Sequence, residues 1–306
     1  MFKTATVLFM YLETPLHAGS GTSLGVVDLP IQREKHTGFP MVQASGVKGA
    51  IRAHARDVLG DVARDDINIV FGPDDNASEY ASALAFTDAR LLLFPVRSLA
   101  GVFAWTTCPT ALNRLRRELT VVGGPDLPML PQPRCDQALV PRQAGVVIEP
   151  LSVVLEEFTF TAQQEQSVSD LGAWIADRVL PDTGEYIFWA EQVQKNLVIL
   201  PDDAFRDFVQ LSTDVVARIR IDPDKGTAAG GGLWYEESLP PESVLWTLAM
   251  ATDPRHRNGG STMQTAADVL GFVTKRLFGQ VSRMQFGGDE TIGRGLVNVT
   301  GLEGQR

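Results

Sequence analysis

Cysteine is nearly absent: Cys108 and Cys135 are the only two in 306 residues, and neither lies in a CxxC pair or a Cys/His cluster. They read as reduced, structural thiols, because two thiols alone cannot build a zinc site. Long apolar runs are missing as well, so no segment is expected to span a bilayer. The first residues, MFKTATVLFMYLETP, carry a polar alternation unlike the continuous apolar core of a signal peptide, and a cytoplasmic address without membrane contact is expected. A surplus of positive charge is also lacking. The chain has 27 Lys and Arg against 37 Asp and Glu, a formal net charge of -10, which counts against a freestanding nucleic-acid binder, since phosphates are normally met by a basic excess. The hydrophobic share of 44% and charged share of 21% are those of a globular chain long enough to bury a large core.

The bases are gathered rather than spread. Arg33, Lys35, His36, Lys48, Arg52, His54 and Arg56 fall within one short span, and Arg114, Arg116 and Arg117 within another. The first span belongs to LHAGSGTSLGVVDLPIQREKHTGFPMVQASGVKGAIR, from Leu16 to Arg52, which sets a single acid, Asp28, in a Gly-rich loop followed by basic groups. This loop starts where an apolar strand ends and stops where a helix begins, so its polar groups stay free to meet a ligand. It reads as an RNA-facing loop with Asp28 at its chemical centre.

Along the chain, Thr4, Thr6, Leu8, Met10 and Leu12 alternate with Ala5, Val7, Phe9, Tyr11 and Glu13, which predicts a central strand buried on both faces. Ser45 is the expected cap of a helix in which Val47, Ile51, His54, Ala55 and Val58 share a side and which stops at Gly60. Lys48, Arg52 and Arg56, spaced by four, would then form an exposed basic stripe. Further strands are predicted at 84–88, 91–96, 102–107, 146–160, 215–221, 233–237 and 243–251, and helices at 109–119, 167–179, 202–211 and 265–279. The Pro- and Gly-rich stretch 122–142 reads as an irregular excursion. DPDKGTAAGGG, from Asp222 to Gly232, reads as the tip of a protruding hairpin over about 215–237. A late Gly-rich loop, about 286–296, carries Arg294 and is suited to close backbone approach. Strands and helices interleave without a βαβ beat or an internal repeat, so one elaborated α+β domain over 1–306 is expected.

Four blocks carry a resemblance: LHAGSG followed by GVVDLPIQRE, TGFP and ASGVKGAIR; FTDARLLLFPVRSLAGVFAWTTCP; ARIRID with GLWYEESLPPESVLW; and FGGDETIGRGLV. With these, the sequence resembles the RAMP superfamily (repeat-associated mysterious proteins), and within it the backbone subunit of type III-B (Cmr) CRISPR effector complexes. The resemblance implies a ferredoxin-like (RRM-like) palm with insertions and a β-hairpin thumb. It implies copies that stack as a filament along a CRISPR guide RNA beside other Cmr subunits. Each thumb would flip a nucleotide out of the duplex between guide and target RNA, and each Asp-bearing loop would cut the target RNA beside that gap. Asp28 matches the catalytic aspartate of the motif, and His17 and Glu236 match positions that assist. Arg33, Lys48, Arg52, Arg218, Arg220 and Arg294 are the implied RNA contacts. One departure stands in the run Ala44, Ser45, Gly46, Val47, Lys48, where the family often shows two serines.

Cutting RNA by attack of its own 2′-hydroxyl needs in-line geometry, help with deprotonation and relief of charge on phosphate. One carboxylate is too weak to supply all of these, so Mg²⁺ or another divalent cation at Asp28 is expected. A filament also answers the charge objection, because linked sites multiply affinity. Two alternatives stay open: an RNA-binding scaffold that does not cut, with Asp28 as a loop cap, and a metal-independent guide-processing RNase.

Overall fold

The computed structural model describes residues 2–23, 25–73, 80–255, 261 and 263–302; Leu24, in the Asp28 loop, lies outside them. The chain opens with β1 (Thr4–Leu12), β2 (Met41–Val42), α1 (Ala44–Leu59), α2 (Arg64–Phe71), β3 (Leu84–Phe86), β4 (Ala89–Arg97), β5 (Phe103–Thr107) and α3 (Pro109–Val122). Its middle holds β6 (Gln137–Val140), β7 (Val147–Ile148), β8 (Ser152–Leu155), β9 (Phe158–Gln164), α4 (Gln166–Arg178), α5 (Ile187–Asn196), β10 (Leu197–Ile199) and α6 (Asp202–Leu211). It ends with β11 (Asp214–Ile221), β12 (Ala228–Ser238), β13 (Val244–Ala251), α7 (Ala266–Gly271), β14 (Arg283–Gln285) and β15 (Leu296–Gly301).

The two apolar series of β1 each find a core. Leu8, Met10 and Leu12 join one cluster with Val47, Ile51, Val70, Val269 and Phe272, so α1, α2 and α7 cover that face. Val7, Phe9 and Tyr11 join the other with Leu112, Leu115, Leu171, Ile175 and Val193, so α3, α4 and α5 cover the opposite face. Period-two alternation with apolar residues on both sides dictates such a strand. β1 pairs antiparallel with β13 and β15. From there one mostly antiparallel sheet runs in the order β14-β15-β1-β13-β4-β5-β10-β6-β9-β8-β7, with parallel pairing only at β5/β10 and β6/β9. This is the α+β palm the sequence predicted.

Several boundaries differ from expectation. The strand predicted over 146–160 is three strands, β7 to β9, folded antiparallel. Pro150 interrupts it, since proline cannot donate to a ladder. The excursion 122–142 contains β6, inserted between β10 and β9. The helix predicted over 265–279 is α7 followed by a π-helical turn at Phe272–Leu277, with Thr265 and Asp268 closing a capping box.

Helix α1 begins one residue before its expected cap. Gln43 precedes it without a side-chain bond, and the Ala44 N–H instead donates to Asp88 Oδ1 at 2.8 Å. Ser45 therefore lies in the first turn, and a carboxylate from a distant loop satisfies the helix end. At the other end Gly60, at φ 65°, stops α1 as expected.

Candidate functional site

β11 and β12 form a separate two-stranded ribbon, with Arg218 opposite Trp234 and Val216 opposite Glu236. The turn between them spans 222–227, so the glycines at 230–232 lie inside β12 rather than at the tip. A bare two-stranded ribbon is marginal in water. Here the root of the ribbon is held by two segments of the N-terminal loop, which dock on the β12 edge that carries the backbone groups of Tyr235 and Glu237.

At the first position, the Tyr235 N–H donates to Asp28 Oδ2 at 2.7 Å. Leu29 N–H donates to the Tyr235 carbonyl and Glu237 N–H donates to the Leu29 carbonyl, both at 3.0 Å. At the second position, His17 Nδ1 lies 2.6 Å from the Glu237 carbonyl oxygen. A carbonyl only accepts, so Nδ1 carries the proton and Nε2 of the neutral ring is left as an acceptor. Leu16 and Leu239 then exchange two 2.9 Å backbone bonds. Tyr235 and Glu237 are two residues apart, so Asp28 and His17 meet one strand edge at points about 7 Å apart.

The late Gly-rich loop closes over His17. Gly288 N–H donates to the His17 carbonyl at 2.9 Å. Gly287 has φ 76°, and a Cβ there would stand 2.4 Å from that carbonyl oxygen; a Cβ on Gly19 would stand 2.7 Å from His17 Nε2. Gly287 is therefore required by close approach to the histidine backbone, while a side chain at Gly19 would displace the His17 ring. From the same loop, Asp289 accepts from Arg218 Nη2 at 3.2 Å, and Arg218 also reaches Glu236 Oε1 at 3.3 Å. Glu236 is buried and paired, a placement that suits holding the ribbon to the loop. Arg294 Nη1 donates to Ser238 Oγ at 2.7 Å.

The structure thus brings His17, Asp28, Glu236, Arg218 and Arg294 to the root of the ribbon. Arg220 lies on the exposed ribbon and forms no ion pair among the described residues. Arg33 is drawn inward: its Nη2 meets Glu237 Oε1 at 2.5 Å and its Nη1 donates to the carbonyls of Gly38 and Val209 at 2.9 and 2.8 Å. The expected exposed stripe on α1 is corrected. Lys48 Nζ donates to Ser82 Oγ at 2.6 Å and to the Leu84 carbonyl at 3.1 Å, and Arg52 donates to the Gly72 carbonyl at 2.7 Å; both are half-buried, while Arg56 is solvent-exposed. Burial, and next the Arg52 charge, lower the Lys48 ammonium below its ordinary range. Helical spacing gave these residues a common face, but the face packs on α2 and β3.

Glu237 and Asp289 escaped the sequence reading. The pair of adjacent acids in WYEES was its only signal, since alternate strand residues point oppositely and each acid meets a different partner. For a metal, Asp28 keeps Oδ1 free while Glu236 is tied to Arg218, and no group of three or more His, Cys, Asp or Glu is arranged as a ligand set among the described residues. Such a donor set fits a hard cation shared with a phosphate ligand rather than one caged by protein alone. No helix among the described residues is long and apolar enough to cross a membrane.

A palm with a projecting ribbon, an aspartate loop at its root and a Gly-rich loop over it defines a class. The chain belongs to the RAMP superfamily, whose family model matches residues 9–298, and within it to the Cmr4 family of CRISPR Cmr systems. It is 39% identical over 300 residues to the CRISPR system Cmr endoribonuclease Cmr4 of Pyrococcus furiosus, covering 97% of this chain and 95% of that one. To the CRISPR system CMR subunit Cmr4 of Saccharolobus solfataricus it is 28% identical over 310 residues, covering 96% and 95%. Among solved structures, oligomeric Cmr4 from Pyrococcus furiosus superposes with a TM-score of 0.72 at 29% identity, covering 97% of both chains. A subunit of the type III-B Cmr-beta complex bound to cognate target RNA shares the fold, with a TM-score of 0.74 at 23% identity over 99% and 98% of the chains.

Proposed function

We propose that this chain is a repeating, guide-RNA-binding backbone subunit of a type III-B effector complex and that it cuts target RNA at regular intervals, with Asp28 as the catalytic group. The observation that supports this most is the shared β12 edge, which holds the Asp28 carboxylate and the His17 ring at the root of a ribbon. On that ribbon Val215, Val216, Ile219, Ile221 and Leu233 are exposed. Apolar side chains on a projecting two-stranded ribbon suit insertion between stacked bases rather than a packed core. A nucleotide displaced there would present its 2′-hydroxyl and phosphate to the edge below.

In this reading Asp28 Oδ2 is oriented by the Tyr235 N–H, and Oδ1 faces the reacting hydroxyl. His17, with its lone pair at Nε2, takes the 2′-hydroxyl proton as the oxygen attacks phosphorus and the 5′-oxygen leaves. Asp28 is the residue that would hold Mg²⁺ or a similar divalent ion, which when bound would supply Lewis-acid relief of the developing charge. Glu236, through Arg218 and Asp289, keeps the ribbon and the Gly-rich loop in register. Arg220 and Arg294 contact RNA phosphate, whereas Arg33, Lys48 and Arg52 act through the scaffold. Neighbouring copies and other Cmr subunits complete the binding surface, which reconciles RNA binding with a net charge of -10.

One observation favours a second reading. The Tyr235 N–H bond would also suit an aspartate that only caps a loop, which would make the chain a scaffold without cutting. Asp28→Asn in the assembled complex separates the two. Loss of regularly spaced target fragments with guide and target binding intact is expected, and unchanged cleavage would overturn the catalytic assignment. Loss of cleavage in EDTA, restored by Mg²⁺, is the companion result.

A further inference from the structure

The ribbon of β11 and β12 has two faces of different chemistry. Residues paired across an antiparallel ribbon share a face, and neighbours along each strand alternate between faces. The register Val216 to Glu236, Ala217 to Tyr235, Arg218 to Trp234 and Ile219 to Leu233 separates the two sets. Beyond the buried Glu237 at the root, one face carries Val215, Ile219, Leu233 and Tyr235, each between 42% and 56% exposed and none of them charged. The other carries Val216, Arg218 and Trp234. The register shifts after Ile219, and Arg220 keeps to this second face: a Cβ at Gly232, the next residue of β12 beyond Trp234 on that side, would stand 3.2 Å from Arg220 Cβ.

A nucleotide joins a flat aromatic base to an anion, and only the second face offers a partner for each. For the base there is Trp234, a half-buried ring that meets no other ring and makes no hydrogen bond among the described residues. For the phosphate a cation free of protein carboxylates is needed. Arg218 is shared between Glu236 at 3.3 Å and Asp289 at 3.2 Å, so its charge is compensated. Arg220 is exposed and forms no ion pair among the described residues. Because position 232 is glycine, no side chain of β12 stands between Trp234 and Arg220. The place along the ribbon also fits, since the N–H that holds Asp28 Oδ2 belongs to the peptide joining Trp234 to Tyr235. The opposite face presents uncharged side chains alone, which suits the flat end of an interrupted base stack.

We propose that Trp234 is the platform on which the displaced target-RNA base stacks, that Arg220 takes the adjoining phosphate, and that the face of Ile219, Leu233 and Tyr235 covers the base pair left behind. This assignment rests on the displaced nucleotide of the proposed function and goes further by giving its base a seat. Every base has a π-face, so stacking on Trp234 accepts any base, as a subunit repeated along a guide of any sequence requires. Stacking also offsets the cost of taking the base out of the duplex and holds its ribose beside the edge where Asp28 and His17 meet β12.

Photocrosslinking in the reconstituted complex tests this. The target carries 5-iodouridine, which joins on irradiation to an aromatic ring stacked on it, at each position in turn, with 2′-deoxyribose at the scissile positions to keep it whole. Crosslinks at regularly spaced target positions, mapped to Trp234 by mass spectrometry, are expected. Trp234→Leu should abolish them and slow single-turnover cleavage of the unmodified target about tenfold or more with guide binding retained, whereas Trp234→Phe keeps a ring and should keep most of both. Arg220→Ala should weaken target binding and reduce its salt slope by about one. Crosslinks from the spaced positions to Tyr235 in place of Trp234, crosslinks to Trp234 from the guide strand alone, or unchanged cleavage in an assembled Trp234→Leu complex would overturn the proposal. Its failure is distinct from that of the cutting assignment. Cleavage that depends on Asp28 with no crosslink at Trp234 sinks the platform alone, while a Trp234 crosslink with cleavage intact in Asp28→Asn supports the platform and removes Asp28 from the chemistry.

Discussion

Asp28 and Glu237 dock on, or belong to, the same strand β12, yet their carboxylates differ in how far they are satisfied. Glu237 is buried and takes Arg33 at 2.5 Å, the Thr213 hydroxyl at 2.8 Å and the Ile31 N–H at 3.0 Å. Asp28 is half-buried and takes one backbone N–H at 2.7 Å. A carboxylate has about four acceptor sites. Glu237 has its sites filled by the protein and holds the loop to the ribbon, while Asp28 has sites left for a hydroxyl or a cation. Within a few residues, saturation rather than residue type separates a clamp from a reactive group. The neighbouring Glu34 repeats the clamp, with Arg114 at 2.8 Å and Thr37 at 2.6 Å.

The contrast can be broken in order of expected size. Asp28→Asn should lower target cleavage by about 10³-fold without changing thermal stability, read from single-turnover fragment yields and a melting curve. Glu237→Ala should do the reverse in kind, costing about 3–5 kcal/mol of stability by leaving Arg33 inside the fold without its carboxylate, measured by denaturant unfolding. Should Glu237→Ala leave stability intact, the clamp assignment fails. His17→Ala should cost about 10²-fold in cleavage with little change in unfolding midpoint, while His17→Gln should recover part of the loss only if orientation through the Glu237 carbonyl matters more than proton transfer. The smallest effect concerns α1. Asp88→Ala should cost about 1 kcal/mol by exposing the Ala44 N–H, and Ser45→Ala should be neutral; the opposite pattern would restore Ser45 as the cap.

Much of the site was legible in the chain, and the misses have physical causes. Asp28 stood out as the acid of a Gly-rich loop, and the family resemblance pointed to His17, Glu236, Arg218 and Arg294; all five converge on the ribbon root. The same resemblance pointed to Arg33, Lys48 and Arg52, yet they point into the fold. A Lys or Arg reads as surface because its burial is costly, but carbonyls at Gly38, Val209, Leu84 and Gly72 satisfy these three. Such acceptors are backbone atoms on other elements and leave no mark in residue type. β6, β10 and β14 escaped for a related reason: each has four residues or fewer and owes its pairing to neighbours distant in sequence.

The chain by itself determined the double-sided strand β1, the projecting ribbon, the Gly60 stop and the family, because alternation, turn chemistry and residue order are local properties. Only the tertiary structure decided that His17, Asp28 and Leu29 dock on one edge of β12 and that Gly288 and Asp289 of the late loop reach His17 and Arg218 beside it. Tertiary packing also decided that Asp88 caps α1. Each of these depends on which donor meets which acceptor across the fold, and the strength of such contacts is set by burial and direction rather than by distance along the chain.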